Sequence, residues 1–296
     1  MCYDSENANR NEEAPMTVIE KQQFDEERAL YNLTGANVID CVFAGPADGE
    51  SVLKEARDVT VENCSFSLRY PLWHVEGFKL LDSRMDEKTR AAIWYARNGK
   101  ISESDLMGIK AVRECQNIVV DNSNIDSAEF GWKCENIHLS NTTIRSEYLF
   151  LDSKHVTLDQ VQMQGKYSFQ YVKNVTMESC TLDTKDAFWH AEDVTLRNCT
   201  VKGEYLAWYS KRLTMIDCKI SGTQPFCYCE GLKLINCEMH ECDLAFEKSS
   251  VEATVTTHID SIKNPSSGYI EAPSAGEIIL HYETECAIRV PALNTK

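Results

Sequence analysis

The chain has 296 residues, 43% of them hydrophobic and 26% charged, enough to close a sizeable core within one domain. Its formal charge of −16 repels phosphate, which argues against nucleic acid or an anionic membrane surface as a partner. No stretch reaches the ~18 apolar residues of a membrane span. The polar, acidic start MCYDSENANRNEEAP has no secretory character, so the cytoplasm is the expected location.

Residues 1–34 are read as an N-terminal extension and cap, in which FDEERAL (Phe24 to Leu30) forms a short helix or strand closing the first coil. A turn around Asn37 to Phe43 follows, and then an excursion holding GPADG (Gly45 to Gly49). From there to Ser250 the chain repeats itself. Asn117, Asn136, His155, Asn174, Asp193, Arg212, Gly231 and Ser250 follow one another at one constant interval. Earlier members of the series, Asp58, Gly77 and Asn98, keep that interval at the first step and lengthen it slightly at the second.

One and three residues past each reference stand paired apolar side chains, for example Val156/Leu158, Val175/Met177 and Val194/Leu196. Two residues apart on a strand means one face. A further apolar column follows, with Ile144, Met163, Leu182, Val201 and Ile220. Short strands, polar turns and a period near 20 without a helical pattern predict an all-β fold, a single-stranded right-handed parallel β-helix of about ten to eleven coils of 19–21 residues. The coils occupy residues 35–250, and residues 251–296, where the period fails, supply capping strands and a tail.

Two small-residue ladders fit the corners of such a coil. One runs Cys41, Cys64, Ser83, Ser104, Ser123, Thr142, Val161, Cys180, Cys199, Cys218 and Cys237, and most positions just before it are Asn or Asp, suited to a tight bend. The odd total of 13 cysteines, most of them inside the repeat, predicts reduced, packed thiols.

The third segment of each coil is aromatic. All five tryptophans, Trp73, Trp94, Trp132, Trp189 and Trp208, share one column with Arg113 and Gln170. The next residue along gives His74, Tyr95, Glu114, Lys133, Asp152, Tyr171, His190, Tyr209 and Tyr228; the preceding one includes Phe150, Phe169, Phe188 and Phe226. Read as a strand, this segment alternates. Burying Glu114, Lys133 and Asp152 would be costly, so the tryptophans are expected inward and both flanking columns outward. The outward aromatics then form a face that needs a cover: a homo-oligomer or other protein partner, or an oligosaccharide in a groove.

For catalysis the best constellation is Glu114, Asp152, Arg113 and Lys133. The two carboxylates stand two coils apart, roughly 9–10 Å, near an inverting-glycosidase separation. Lys133 between them more simply neutralises two acids in a ladder. His190 has no nearby nucleophile and reads as a surface histidine. Cys227 and Cys229 continue small-residue columns, and no nucleotide loop, HExxH or GxSxG occurs, so no metal and no cofactor are expected.

The segments FDEERALY, FAGPADGES, YPLWH, FGWKCEN, DTKDAFWH and CYC resemble an uncharacterised bacterial family, a domain of unknown function, of right-handed parallel β-helix proteins in the pectin-lyase-like class. The resemblance spans about Phe24 to Tyr282 and implies the fold but no activity. Some members carry a hydrogenase-like label, yet this chain lacks a recognisable hydrogenase cysteine pattern. It also lacks the NTD segment and DD pair of polygalacturonase-like enzymes.

Overall fold

The computed structural model describes residues 17–291. They form a right-handed parallel β-helix of about 14 turns, almost free of helix. A first sheet stacks one strand per coil, from Thr17–Glu20 at one end to Glu285–Arg289 at the other. The sequence period is its register: Val156 pairs with Val175, Val175 with Val194, and Val194 with Leu213. A second sheet of shorter strands stacks Ile144, Met163, Leu182, Val201 and Ile220 in the same way. Both columns are buried and line the core from two sides.

The coil extends beyond the repeat at both ends. Thr17–Glu20 and Gln23–Phe24 pair with the strands of the next coil, so the N-terminal extension is itself a coil from Thr17 onward. Residues 1–16 lie outside the described ones. The segment FDEERAL is strand only at Phe24 and then turns, rather than forming one regular element. Past Ser250, the capping strands Ser250–Val255, Ser267–Glu271 and Glu285–Arg289 continue the first sheet, with Val251 on Gly268 and Gly268 on Cys286. The spacing shortens there while backbone pairing persists, which is why side-chain periodicity fades but the sheet does not. His258–Lys263 and Ser274–Ile279 form a separate parallel pair.

The corner ladder does more than fit a narrow space. The backbone N–H of Ser83 donates to Ser104 Oγ at 3.1 Å, and Ser104 N–H to Ser123 Oγ at 3.2 Å. Ser104 Oγ in turn donates to Ser102 O at 2.8 Å. Each of these rungs therefore satisfies a buried amide that the bend would leave unpaired. Cysteines do the same with sulfur: Cys180 N–H meets Cys199 Sγ at 3.4 Å. The twelve described cysteines are free and buried. Burial pushes the Cys64 and Cys229 thiols up to about 11, so they sit as neutral packing groups.

The third side departs from the strand expected there. Its backbone takes positive φ at alternate residues, as at Tyr167 (56°), Phe169 (59°) and Tyr171 (59°), and the pattern recurs at Asp186, Phe188 and His190. Strand alternation needs extended dihedrals throughout. Here instead two successive residues, Ser168 and Phe169, turn inward and the next two, Gln170 and Tyr171, turn outward. This reverses two expectations. Phe150, Phe169, Phe188 and Phe226, expected on the outer face, are at most 2% exposed and belong to the core. The tryptophan column, expected inward, lies half-buried on the outside.

The inward phenylalanines stack along the axis, Phe169 on Phe188 with centroids 5.0 Å apart. Such pairs add to what burial alone contributes and offset the left-handed backbone beneath them.

Candidate functional site

The outer surface of the third side carries two ring ladders separated by charge. Tyr171, His190, Tyr209 and Tyr228 stack at centroid distances of 5.0, 5.1 and 4.8 Å, with ring planes within 8° of parallel. His74 and Tyr95 stack at 4.9 Å further toward the N-terminus. Tyr171 and Tyr209 remain 50% and 43% exposed. Because the rings pile along the axis, each inner ring spends both faces on its neighbours. What the ladder shows outward is ring edges, phenol hydroxyls and an imidazole.

Behind this ladder run the indoles. Trp189 stacks on Trp208 at 5.5 Å. The Nε1–H groups of Trp132, Trp189 and Trp208 donate to Tyr148 O, Tyr205 O and Gln224 O at 2.7, 2.7 and 2.8 Å. Gln170 takes the same role, donating from Nε2 to Asp186 O at 3.2 Å. Arg113 fills its place in the column as a cation between two indoles, 5.3 Å from the ring centres of both Trp94 and Trp132. With the column outside, neither Arg113 nor Gln170 has to be buried in the core.

The four residues expected to do chemistry are only partly assembled. Arg113 Nε pairs with Glu114 Oε1 at 3.3 Å, and Arg113 Nη1 lies 3.9 Å from Glu129 Oε2. One carboxylate oxygen of Glu114 is thus engaged by its own neighbour. Lys133 does not neutralise two acids as expected: it and Asp152 are exposed and make no ion pair among the described residues. Glu114, Lys133 and Asp152 instead form the floor between the two ring ladders. The facing rings, Tyr95 and Tyr171, are four coils apart, roughly 19 Å.

A profile described as a protein of unknown function, DUF3737, matches residues 17–290. The chain belongs to the DUF3737 family. A comparison with curated proteins finds no match. Among solved structures, this DUF3737 chain is similar to the catalytic domain of a GH87 α-1,3-glucanase in complex with nigerose, at 7% identity and a TM-score of 0.42, over 94% of this chain and 64% of that one. The chain thus spans just under two thirds of the glucanase domain's length. It is also similar to PfbA, a surface adhesin of Streptococcus pneumoniae, at 9% identity and a TM-score of 0.40, over 92% and 85% of the two chains. A third is the A-module of the Azotobacter vinelandii mannuronan C-5 epimerase AlgE4, at 9% identity and a TM-score of 0.31, over 92% and 89%.

Two features of the DUF3737 chain escaped the sequence reading. Asp186 is a carboxylate only 7% exposed, and burial raises its pKa above the ordinary carboxylate range against the pull of Lys185. It stands in a column with Tyr167 and Tyr205, where nothing in composition marks an inward-leaning acid. The second is a pocket beside Trp94. No helix among the described residues is long and apolar enough to cross a membrane.

Proposed function

We propose that this protein is an interaction module that uses the outer ring ladder of its third side to bind protein, in the first instance a second copy of itself. The observation that carries this reading is the stack Tyr171–His190–Tyr209–Tyr228, which runs along one line with Tyr171, His190 and Tyr209 exposed and Tyr228 half-buried, showing edges and polar tips rather than faces. Tyr and Trp with a wet end and an apolar body are the residues that protein interfaces concentrate. Inner rings whose faces are already stacked have none left for a sugar. The test is sedimentation velocity on wild type and on the double variant Tyr171→Ser/Tyr209→Ser. Association that weakens at least tenfold in the variant supports the interface; a monomer at every concentration, for both proteins, removes self-association.

A second reading has its own observation. The end rings Tyr95 and Tyr171 meet no further ladder ring on the sides that face each other, and between them lie Glu114, Lys133 and Asp152. A short oligosaccharide spanning ~19 Å would meet a ring at each end and carboxylates in the middle. A glycan array probed with wild type and with Asp152→Asn decides it. Binding lost in the variant supports a saccharide groove; no binding by either protein ends that reading and the catalytic roles of Glu114 and Asp152 with it.

A further inference from the structure

The coil ends on an edge. The last strand of the first sheet, Glu285–Arg289, pairs among the described residues with Ser267–Glu271 alone. Its bonds on that side come from alternate residues: Glu285 N–H donates to Ser266 O at 3.0 Å, and Arg289 O accepts from Ala272 N–H at 3.3 Å. Alternation along the strand turns the N–H and C=O of Cys286 and Ile288 the other way, toward the end of the rod. An edge of this kind is a template for another strand.

The core is uncovered at the same place. Ile262 and Ile270 are fully buried, and the last coil stacks Ile278 on the first and Ile288 on the second. Ile278 is 39% exposed and Ile288 only partly buried. Leu280 and Tyr282, which follow in the same coil, are 46% and 67% exposed. Apolar columns that are buried one coil earlier thus finish against solvent.

The strand reads Glu-Cys-Ala-Ile-Arg, and it complements itself. Laid antiparallel on a second copy with Ala287 opposite Ala287, it sets Cys286 opposite Ile288 and Ile288 opposite Cys286. These are the residues whose backbone groups point outward, and such a pair exchanges both its N–H···O bonds. Opposed side chains share a face, so Cys286 and Ile288 of both copies stay on the core side. On the outer face Glu285 meets Arg289 at each end. Arg289 gives Nη1 to Glu271 and keeps Nε and Nη2 for the partner's carboxylate. Centring the pair one residue either way keeps the backbone bonds but takes Glu285 away from Arg289.

We propose that two copies of this chain join end to end by antiparallel pairing of Glu285–Arg289, a two-fold dimer with one sheet running through both rods. The occupant is a second copy because the edge matches its own reverse in charge, in free backbone groups and in apolar face. This interface is separate from the ring ladder, and either can fail alone.

The test uses the full chain carrying Tyr171→Ser/Tyr209→Ser, which takes ladder association out of the measurement. Sedimentation velocity is expected to show a dimer. Glu285→Arg sets like charges opposite each other at both ends and weakens that dimer about tenfold, as does Arg289→Glu. Mixing the two variants restores the opposite charges and yields a dimer that neither forms alone, which also shows that both fold. Ala287→Cys places a thiol opposite its own copy, with Cα atoms about 4.5 Å apart, so mild oxidation links it into a covalent dimer where the parent gives none. Association of wild type that vanishes in the doubly substituted background belongs to the ladder and overturns the end-to-end dimer. So does a mixture that stays monomeric, or a missing cross-link. Assemblies that grow past dimers indicate head-to-tail pairing with Thr17–Glu20 of the next copy and overturn it too.

Discussion

Tyr209 lies parallel to Tyr228 in the next coil, centroids 4.8 Å apart and planes within 8°. The two rings are one full repeat apart in sequence and are brought together by the coil alone. Their contact is therefore a measure of coil stacking at the surface. A double-mutant cycle with Tyr209→Ala and Tyr228→Ala in urea is expected to give a coupling of about 0.5–1.5 kcal/mol. A coupling of zero would mean that the stacked geometry contributes nothing beyond burial.

The direction of the third side can be tested with neighbours on the same short segment. Phe169 is fully buried and stacked on Phe188, whereas Tyr171 is half exposed. Phe169→Ala is expected to destabilise by about 3–5 kcal/mol and Tyr171→Ala by less than about 1.5 kcal/mol. Equal losses in denaturant would contradict the two-in, two-out arrangement.

Ser104 holds one corner together through two bonds, accepting Ser83 N–H and donating to Ser102 O. Ser104→Ala removes both and leaves a buried amide unpaired, a loss of about 1–3 kcal/mol. Ser104→Cys, which places in this coil the residue that the same column uses at Cys180 and Cys199, should lose less. If alanine were tolerated as well as cysteine, the ladder would serve only to fill space.

Asp186 makes a prediction with a sign. Its pKa is raised in the folded protein by burial, so folding disfavours its ionised form. The stability it contributes is present below the ordinary carboxylate pKa and is lost as pH rises through the raised one. Asp186→Asn is therefore expected to melt higher than wild type at pH 7, with the difference vanishing near pH 3, below the ordinary carboxylate value of 3.8. A lower melting temperature for the variant at pH 7 would mean that the carboxylate is held by interactions stronger than its burial penalty.

The first two sides of the coil were legible from the chain alone. Val156, Val175 and Val194 recur once per repeat, and a parallel strand stacked on its own repeat must place them in one buried line. The corner residues were equally plain, because small side chains fit the bend and most of them carry a hydroxyl or thiol that can satisfy its amides. The third side was not legible. Side-chain direction follows backbone dihedrals, and its left-handed residues are Phe, Tyr and His as well as Asp, without the glycine signature that usually betrays positive φ. Alternation put the indoles inside and the phenylalanines outside; the folded backbone does the reverse. The same holds for the catalytic quartet, which the period placed in adjacent coils. Side-chain geometry tied Glu114 to Arg113 and left Lys133 and Asp152 in solvent, because ion pairing is decided by reach and orientation within a coil as much as by stacking between coils.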